Sequence, residues 1–354
     1  MSVDTKILAA NDENIAAAAQ VLRDGGLVAF PTETVYGLGA NALDMRAVRS
    51  IFTAKGRPHD NPLIVHLADV NSILPLVKHF PESARQIAQK FWPGPLTLIL
   101  PRGDAIAPSL CAGLDSVAVR IPSHPVAQRL LELAGVPVAA PSANRSGRPS
   151  ATSANHCVED LWGFADIILD GGECSLGVES TVISLIGETP RLLRPGGVTP
   201  CEIEDVIGRI EIDDAIYREL EEDEIAPSPG MKHKHYAPIA KATLVSGSLE
   251  SFVRFCGEHN SSNMWVLVFD EDKHELENWG FSSLSYGSEN DPATQANRLF
   301  AALRELDDKG AEVVYIRAPK KCDGLGLAVY NRLLRAAAFM CYDLGDNNLG
   351  EEKC

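Results

Sequence analysis

From Asn14 to Arg23 apolar positions recur at helical spacing and stop at Gly25-Gly26, after which Leu27-Val28-Ala29-Phe30 is a continuous apolar run of the kind a buried strand makes. The same alternation continues along the chain. Asp44 is placed to cap a helix through Ala54, residues 63–67 read as the next strand, Asp69 opens another helix and residues 82–92 a further one. Strands follow at 96–100, 116–120, 136–139, 166–169, 181–185 and 191–194. Strand and helix signals in turn predict an α/β sheet with crossover helices, and many strands end in loops rich in Gly, Pro, Ser or Asn, where α/β proteins keep their chemistry.

The first unit closes near Gly208. Between Glu211 and Glu224 stand eight acidic residues and one arginine, followed by a Pro/Gly-rich stretch and a basic one, which together read as an interdomain linker. Beyond it a strand at 243–245, a helix from Leu249, a strand at 266–269, a helix at 294–306, a strand at 313–317 and a helix at 324–340 predict a second, smaller α/β domain. The expected organisation is a catalytic domain at 1–210, a linker and active-site lid at 211–242, and a small domain at 243–354.

A chain of 354 residues has room for these two domains, and 45% hydrophobic and 23% charged residues exclude long disorder. No membrane span is expected, because the apolar stretch 91–100 is broken by Pro93 and Pro95, and the start lacks a secretory pattern, so the expected location is the cytoplasm. Eight scattered cysteines without a CxxC pair read as reduced thiols. A net charge of −16 opposes an extensive grip on nucleic acid and leaves room for a local basic pocket.

Gly37-Leu-Gly39-Ala-Asn-Ala42 matches GxGxxA, with Asp60 further on, yet Pro31 to Tyr36 separate it from the preceding strand, so it fails as a dinucleotide fingerprint. There is no Walker A sequence. Lys55 and Arg57 stand where a helix runs into Pro58; they suit two cations on one phosphate chain, or equally the dipole of a helix end. Pro141-Ser142-Ala-Asn144 through Ser150, Gly171 through Thr181, and Arg194-Pro-Gly-Gly197 are polar strand-end loops. Each alone is an ordinary turn, but together they look like one anion pocket. Arg120 ends an alternating strand, either as a carboxylate clamp or as a salt-bridge partner, and His66 is a core histidine unless a pocket adjoins it. His233 and His235 lack a third ligand for a metal.

Read together, Pro31-Thr-Glu33-Thr34-Val-Tyr36-Gly37-Leu-Gly39, Lys55-x-Arg57-x4-Pro62-Leu63, Trp92-Pro-Gly-Pro-Leu-Thr97, Ser142-x-Asn144, Gly177-Val-Glu179-Ser180-Thr181 and Arg194-Pro-Gly resemble the threonylcarbamoyl-AMP synthase family with its YrdC-like domain. The resemblance covers about residues 7–210, and Pro229 to Pro238 with the terminal unit resembles the linker and extra domain of the family's long form. It implies a twisted mixed sheet with helices, plus a smaller Rossmann-like α/β domain. It also implies a nucleotidyltransferase that joins L-threonine, bicarbonate and ATP, with Mg²⁺ carried by ATP and no direct protein ligands to the metal. The products are pyrophosphate and threonylcarbamoyl-AMP, which a separate transferase complex uses in tRNA modification. Direct tRNA contact is at most weak.

Carried onto this chain, the resemblance makes Lys55 and Arg57 the catalytic cations. Lys55, Arg57, Asn61, Ser116, Ser142, Asn144, Ser150, Arg194, Met231 and Tyr236 become ATP contacts, and Thr34, His66, Arg120 and Ser180 threonine contacts. The contrasting expectation is a noncatalytic RNA-binding module that uses the same cationic loops. Replacing Lys55 or Arg57 by Ala is expected to lower turnover strongly while circular dichroism stays native; an unchanged rate would remove these cations from the phosphates.

Overall fold

Asn11 opens α1 (Asp12–Arg23) by accepting from the Asn14 amide at 2.9 Å, and Ile15, Ala18, Ala19 and Leu22 recur three and four apart to give one buried face. Asp44 caps α2 (Met45–Lys55) likewise, and Gly56 ends it at φ +61°, in the left-handed region that favours glycine. Asp69 also caps a helix, but a short 3₁₀ one, Val70–Leu76, because Pro75 lacks the N–H that an α-helical turn would need there. Four more helices, α3 (Glu82–Phe91), α4 (Pro125–Ala134), α5 (Ala154–Leu161) and α6 (Pro200–Ile207), complete this half of the chain.

The computed structural model describes residues 3–221, 224, 226, 228, 231, 236–319 and 323–345. His233 and His235, most of the basic linker motif, Cys322 and Cys354 lie outside the described residues. The chain divides into two units. The first holds the residues up to Ser146, Ser150–Ile216 and the described residues from Leu220 to Met231. The second holds Gly147–Pro149, Tyr217–Glu219 and the described residues from Tyr236 onward.

The strands of the first unit are β1 (Lys6–Ala9), β2 (Val28–Phe30), β3 (Gly37–Asn41), β4 (Ile64–His66), β5 (Leu96–Pro101), β6 (Ser116–Arg120), β7 (Val138–Ala139), β8 (Ile167–Asp170), β9 (Thr181–Ser184), β10 (Arg191–Arg194) and β11 (Glu211–Ile212). Among the described residues they form one mixed sheet in the order β1-β8-β2-β3-β7-β4-β6-β5-β9-β10-β11. Helices α1 and α4 cover one part of it, packing Leu22, Leu130 and Leu131 on Val28, Phe30, Val138 and Leu169. The glycine-rich stretch at 37–41 is therefore a strand between β2 and β7 and no phosphate-binding turn. Its glycines make room for an aromatic ring, since a Cβ at Gly39 would lie 2.8 Å from Phe30 Cε1 and 2.9 Å from Val138 Cγ1.

In the second unit β12 (Lys241–Ser246), β13 (Met264–Val268), β14 (Ser282–Ser285), β15 (Val313–Arg317) and β16 (Cys341–Asp343) form a parallel sheet in the order β14-β13-β15-β12-β16. Its helices are α7 (Leu249–Glu258), α8 (Lys273–Asn278), α9 (Pro292–Asp308) and α10 (Gly324–Ala336), the doubly wound pattern of a small Rossmann-like domain. At the carboxyl ends of its strands Arg317 is buried against Asp272, with Glu289 at 3.3 Å and the Phe269 ring at 5.2 Å. Gly147–Pro149 are held within this unit: Ala237 N donates to Gly147 O at 3.0 Å and Arg304 Nη2 to Pro149 O at 2.7 Å.

Replacing Gly39 by Ala is expected to destabilise the protein by about 1–3 kcal/mol, because the added methyl meets a ring and a valine in a closed sheet interior. Urea unfolding measures this, and an unchanged midpoint would mean that Phe30 is not confined against β3.

Candidate active site

Four strands bring polar side chains to one end of one sheet face. His66 ends β4 and Arg120 ends β6, and the two are register partners; Thr97, near the start of β5, stands opposite Arg120, and β9 begins just after Ser180. Strands β4 and β6 are parallel, β5 runs against β6, and β9 runs with β5, so the ends of one pair meet the starts of the other. Strand alternation puts Ile64, Ala118, Ile99 and Val182 further along the same face, where Leu193, Ala215, Ala226 and Met231 join them in one apolar cluster. The site thus has a polar end and an apolar floor.

Arg120 is 4% exposed. Its Nη1 donates to Thr34 Oγ1 at 2.9 Å and its Nε to Gly94 O at 3.3 Å, while Nη2 lies 2.8 Å from Glu33 Oε1. Thr34 is fixed in turn by Thr32, whose hydroxyl lies 2.8 Å from its own. Ser180 sits between two partners: its Oγ is 2.7 Å from Thr97 Oγ1, and Arg194 donates to that Oγ at 3.1 Å and to the Ser180 carbonyl at 3.0 Å. Gly196 permits this. A Cβ there would lie 2.2 Å from Thr181 N and 2.6 Å from Ser180 C, so only glycine lets the turn after β10 lie on the 179–181 backbone.

The backbone of residues 33–38 ties this row to the other polar loops. Leu176 N donates to Glu33 O and Gly177 N to Thr34 O, Tyr36 N donates to Ala151 O, Ala143 N to Tyr36 O, and Leu38 N to Pro141 O, all within 3.1 Å. The Tyr36 side chain adds a hydrogen bond to Gly172 O at 2.7 Å.

Around this hub the expected nucleotide residues fall into separate groups. The Lys55 ammonium donates to the carbonyls of Ser142, at 2.5 Å, and Asn144. Arg57 instead reaches Asn61 Oδ1 at 2.6 Å and Pro62 O at 2.8 Å, so the two cations have different partners. Ser150 hydrogen-bonds to Glu179. Ser116 lies at the far end of β6, about 13 Å along the strand from Arg120, and lines a cavity of about 450 Å³ with Ile99, Ser184, Arg191 and Leu193. Met231 belongs to the apolar floor. Tyr236 belongs to the second unit, its ring 5.3 Å from that of Phe300 and 5.6 Å from the Arg332 guanidinium.

Burial shapes the charges. It pushes the Glu33 carboxyl upward, but the Arg120 guanidinium and the backbone amides of Glu33 and Ser123 more than reverse this, so Glu33 is ionised at neutral pH. Burial and then Arg120 drive His66 down to about 3, so its imidazole is neutral. His66 Nδ1 is buried without a hydrogen-bond partner among the described residues, and its ring meets Phe30 edge-on at 6.3 Å. The arrangement therefore offers two guanidiniums, one carboxylate and a ring of hydroxyls, which is chemistry for holding a small zwitterion beside an anion.

Glu33, Thr97 and Gly196 stand inside the family motifs, but spacing along the chain assigns them no role. The available signals were a carboxylate in a Pro-Thr-Glu-Thr turn and one hydroxyl at an inward position of an apolar strand.

Known proteins match along most of the chain. A family model described as telomere recombination matches residues 20–196, and one described as threonylcarbamoyl-AMP synthase, C-terminal domain, matches residues 198–338. Threonylcarbamoyl-AMP synthase of Pyrococcus abyssi is 47% identical over 331 residues, 92% of this chain and 94% of that protein. The Bacillus subtilis protein of the same name is 46% identical over 339 residues, 94% of this chain and 95% of its own. A crystal structure of P. abyssi Sua5 complexed with L-threonine superposes with a TM-score of 0.85 at 43% identity, covering 97% of this chain and 99% of that one.

The depressed His66 sets an acid limit. The unfolded chain protonates this imidazole below about pH 6.5 and the native site resists down to about 3, so stability falls as pH drops through that window. Between pH 6 and 4 the protein is expected to lose up to about 1.4 kcal/mol per pH unit more than a His66→Gln variant, as read from urea midpoints; parallel curves would place a charged imidazole in the native site.

Proposed function

Since this chain belongs to the threonylcarbamoyl-AMP synthase family, we propose that it condenses L-threonine, bicarbonate and ATP to threonylcarbamoyl-AMP and pyrophosphate. The observation that carries this is the buried Arg120, held by Thr34 and Gly94 at the end of a sheet face that it shares with His66, Thr97 and Ser180. A guanidinium fixed in this way matches a planar carboxylate. Thr34, His66 and Ser180 surround the remainder of threonine, with neutral imidazole and hydroxyl groups suited to its side-chain hydroxyl.

The threonine nitrogen gives up a proton and bonds to the carbon of bicarbonate, water is lost, and a carbamate results. A carbamate oxygen then bonds to the α-phosphorus as the bond from that phosphorus to the bridging oxygen breaks, its electrons leaving on pyrophosphate. Lys55, Arg57 and Arg194, with Asn61, Ser142, Asn144 and Ser150, hold the triphosphate for this displacement, and Ser116 and Met231 take the remainder of the nucleotide. Fixed cations and positioning supply the catalysis, and no covalent nucleophile is needed. Lys55 has a second duty: its bonds to the Ser142 and Asn144 carbonyls shape the loop that carries two of its partners.

Mg²⁺ enters with the nucleotide. The hydroxyl, amide and guanidinium groups of the 142–150 and 177–181 loops fit an ion held mainly by phosphate oxygens and water, and among the described residues no three His, Cys, Asp or Glu side chains gather into a cage. When bound, the ion neutralises charge on the phosphates. The product, a mixed anhydride, passes to a transferase complex that modifies tRNA. We place the enzyme in the cytoplasm; no described helix is long and apolar enough to cross a membrane.

An RNA-binding module is the poorer account of the same cations. Lys55, Arg57, Arg120 and Arg194 are 3, 8, 4 and 7% exposed and turn inward, so none is presented to a polymer backbone. Pyrophosphate release from ATP and Mg²⁺ is expected to require both L-threonine and bicarbonate, with a threonylcarbamoyl adenylate detected by mass spectrometry. ATP binding without threonine-dependent turnover would overturn the acceptor assignment.

A further inference from the structure

Glu33 follows β2 in the loop that carries Thr34, is 8% exposed, and approaches Arg120 Nη2 to 2.8 Å. The pair is incompletely satisfied. The carboxylate has Arg120 Nη2 at 2.8 Å and feels the backbone amides of Glu33 and Ser123, but among the described residues none of these contacts makes a hydrogen bond of good geometry. An ionised carboxylate in such a place is costly unless a donor reaches it, and a charged donor serves best. Arg120 has committed Nε to Gly94 and one Nη1 hydrogen to Thr34, leaving the other ends of its fork for an acceptor.

We propose that Glu33 recognises the α-ammonium group of the amino-acid substrate, so that Glu33 and Arg120 together read a zwitterion. This rests on Arg120 binding the substrate carboxylate, as given above. At the amino-acid end Arg120 contributes +1 and Glu33 −1, His66 is neutral, and Arg194 adds a further +1 where it donates to Ser180. Burial holds the Cys174 thiol up at about 12 and lowers His124, against an upward pull from Glu33, so both are neutral at neutral pH. A free amino acid entering this site exchanges water for one anion partner and one cation partner. An acid without the amine brings Glu33 no second charged partner beside Arg120, a loss of the kind that polar sites convert into discrimination. The contact also separates substrate from product, because a nitrogen that carries the new carboxyl group has no positive charge to offer.

Calorimetry on the full chain tests this with L-threonine and with (2S,3R)-2,3-dihydroxybutanoic acid, which replaces the amine by a hydroxyl and keeps the carboxylate and side chain. Wild-type protein is expected to prefer threonine by at least about tenfold, and to lose that preference as pH rises through titration of the amine. Glu33→Gln is expected to bind threonine at least about tenfold more weakly, with the preference abolished and its pH dependence flat. Glu33→Asp is expected to retain part of the preference. If Glu33→Gln discriminates as well as wild type, Glu33 is only the counter-ion of Arg120 and the proposal fails. Equal binding of both ligands by wild type overturns it without any variant. Failure of wild type to bind either ligand removes threonine from the pocket altogether, which is failure of the underlying assignment and is recognisable as such.

Discussion

A guanidinium taken out of water must be met by charge and by hydrogen-bond acceptors, and at Arg120 that requirement organises everything nearby. The side chain is 4% exposed, and its partners come from separate parts of the chain: Glu33 and Thr34 from the loop after β2, and Gly94 from the loop before β5. Removing one side of such a pair typically costs about 3–5 kcal/mol, because a charge is left buried alone. The loops are therefore held where the cation needs them. Its own burial, and then the Arg120 charge on the next strand, lower the imidazole of His66 and keep it neutral.

Backbone hydrogen bonds extend this order outward. Residues 33–38 accept from or donate to 141, 143, 151, 176 and 177, so one short segment indexes two loops to each other. Close approach does the remainder: Gly39 lets the Phe30 ring lie on β3, and Gly196 lets the turn after β10 touch the backbone of residues 179–181. Side chains that handle anions are thereby fixed by atoms that carry no charge. This suits a reaction in which charge moves along a phosphate chain and the protein supplies a preorganised field.

Four cations of the first unit, Lys55, Arg57, Arg120 and Arg194, turn inward, whereas others such as Arg46 and Arg129 are exposed. With a net charge of −16 the exterior repels nucleic acid while Lys55, Arg57, Arg120 and Arg194 lie buried among carbonyls and hydroxyls. The second unit buries arginines as well, Arg317 against Asp272 and Arg332 beside Tyr236, and there too each guanidinium meets an acid or an aromatic ring.

Helices and strands with clear periodicity were legible in the sequence, as were the caps at Asp44 and Asp69 and the polar loops at strand ends, because these depend on neighbours a few residues away. The short strand β3, the polar strands β14 and β16 and the 3₁₀ form of the 70–76 helix were not, since glycine packing, edge pairing and an internal proline act through partners that spacing does not reveal. The motif set identified the family because six short segments kept their order. By itself, then, the sequence determined the family and which polar loops stand at strand ends. Only the tertiary structure decided that Arg120 pairs with Glu33, that Ser180 is held between Thr97 and Arg194, and that Lys55 and Arg57 serve different partners. Those contacts join residues up to 89 positions apart, and such closures depend on strand register and sheet order.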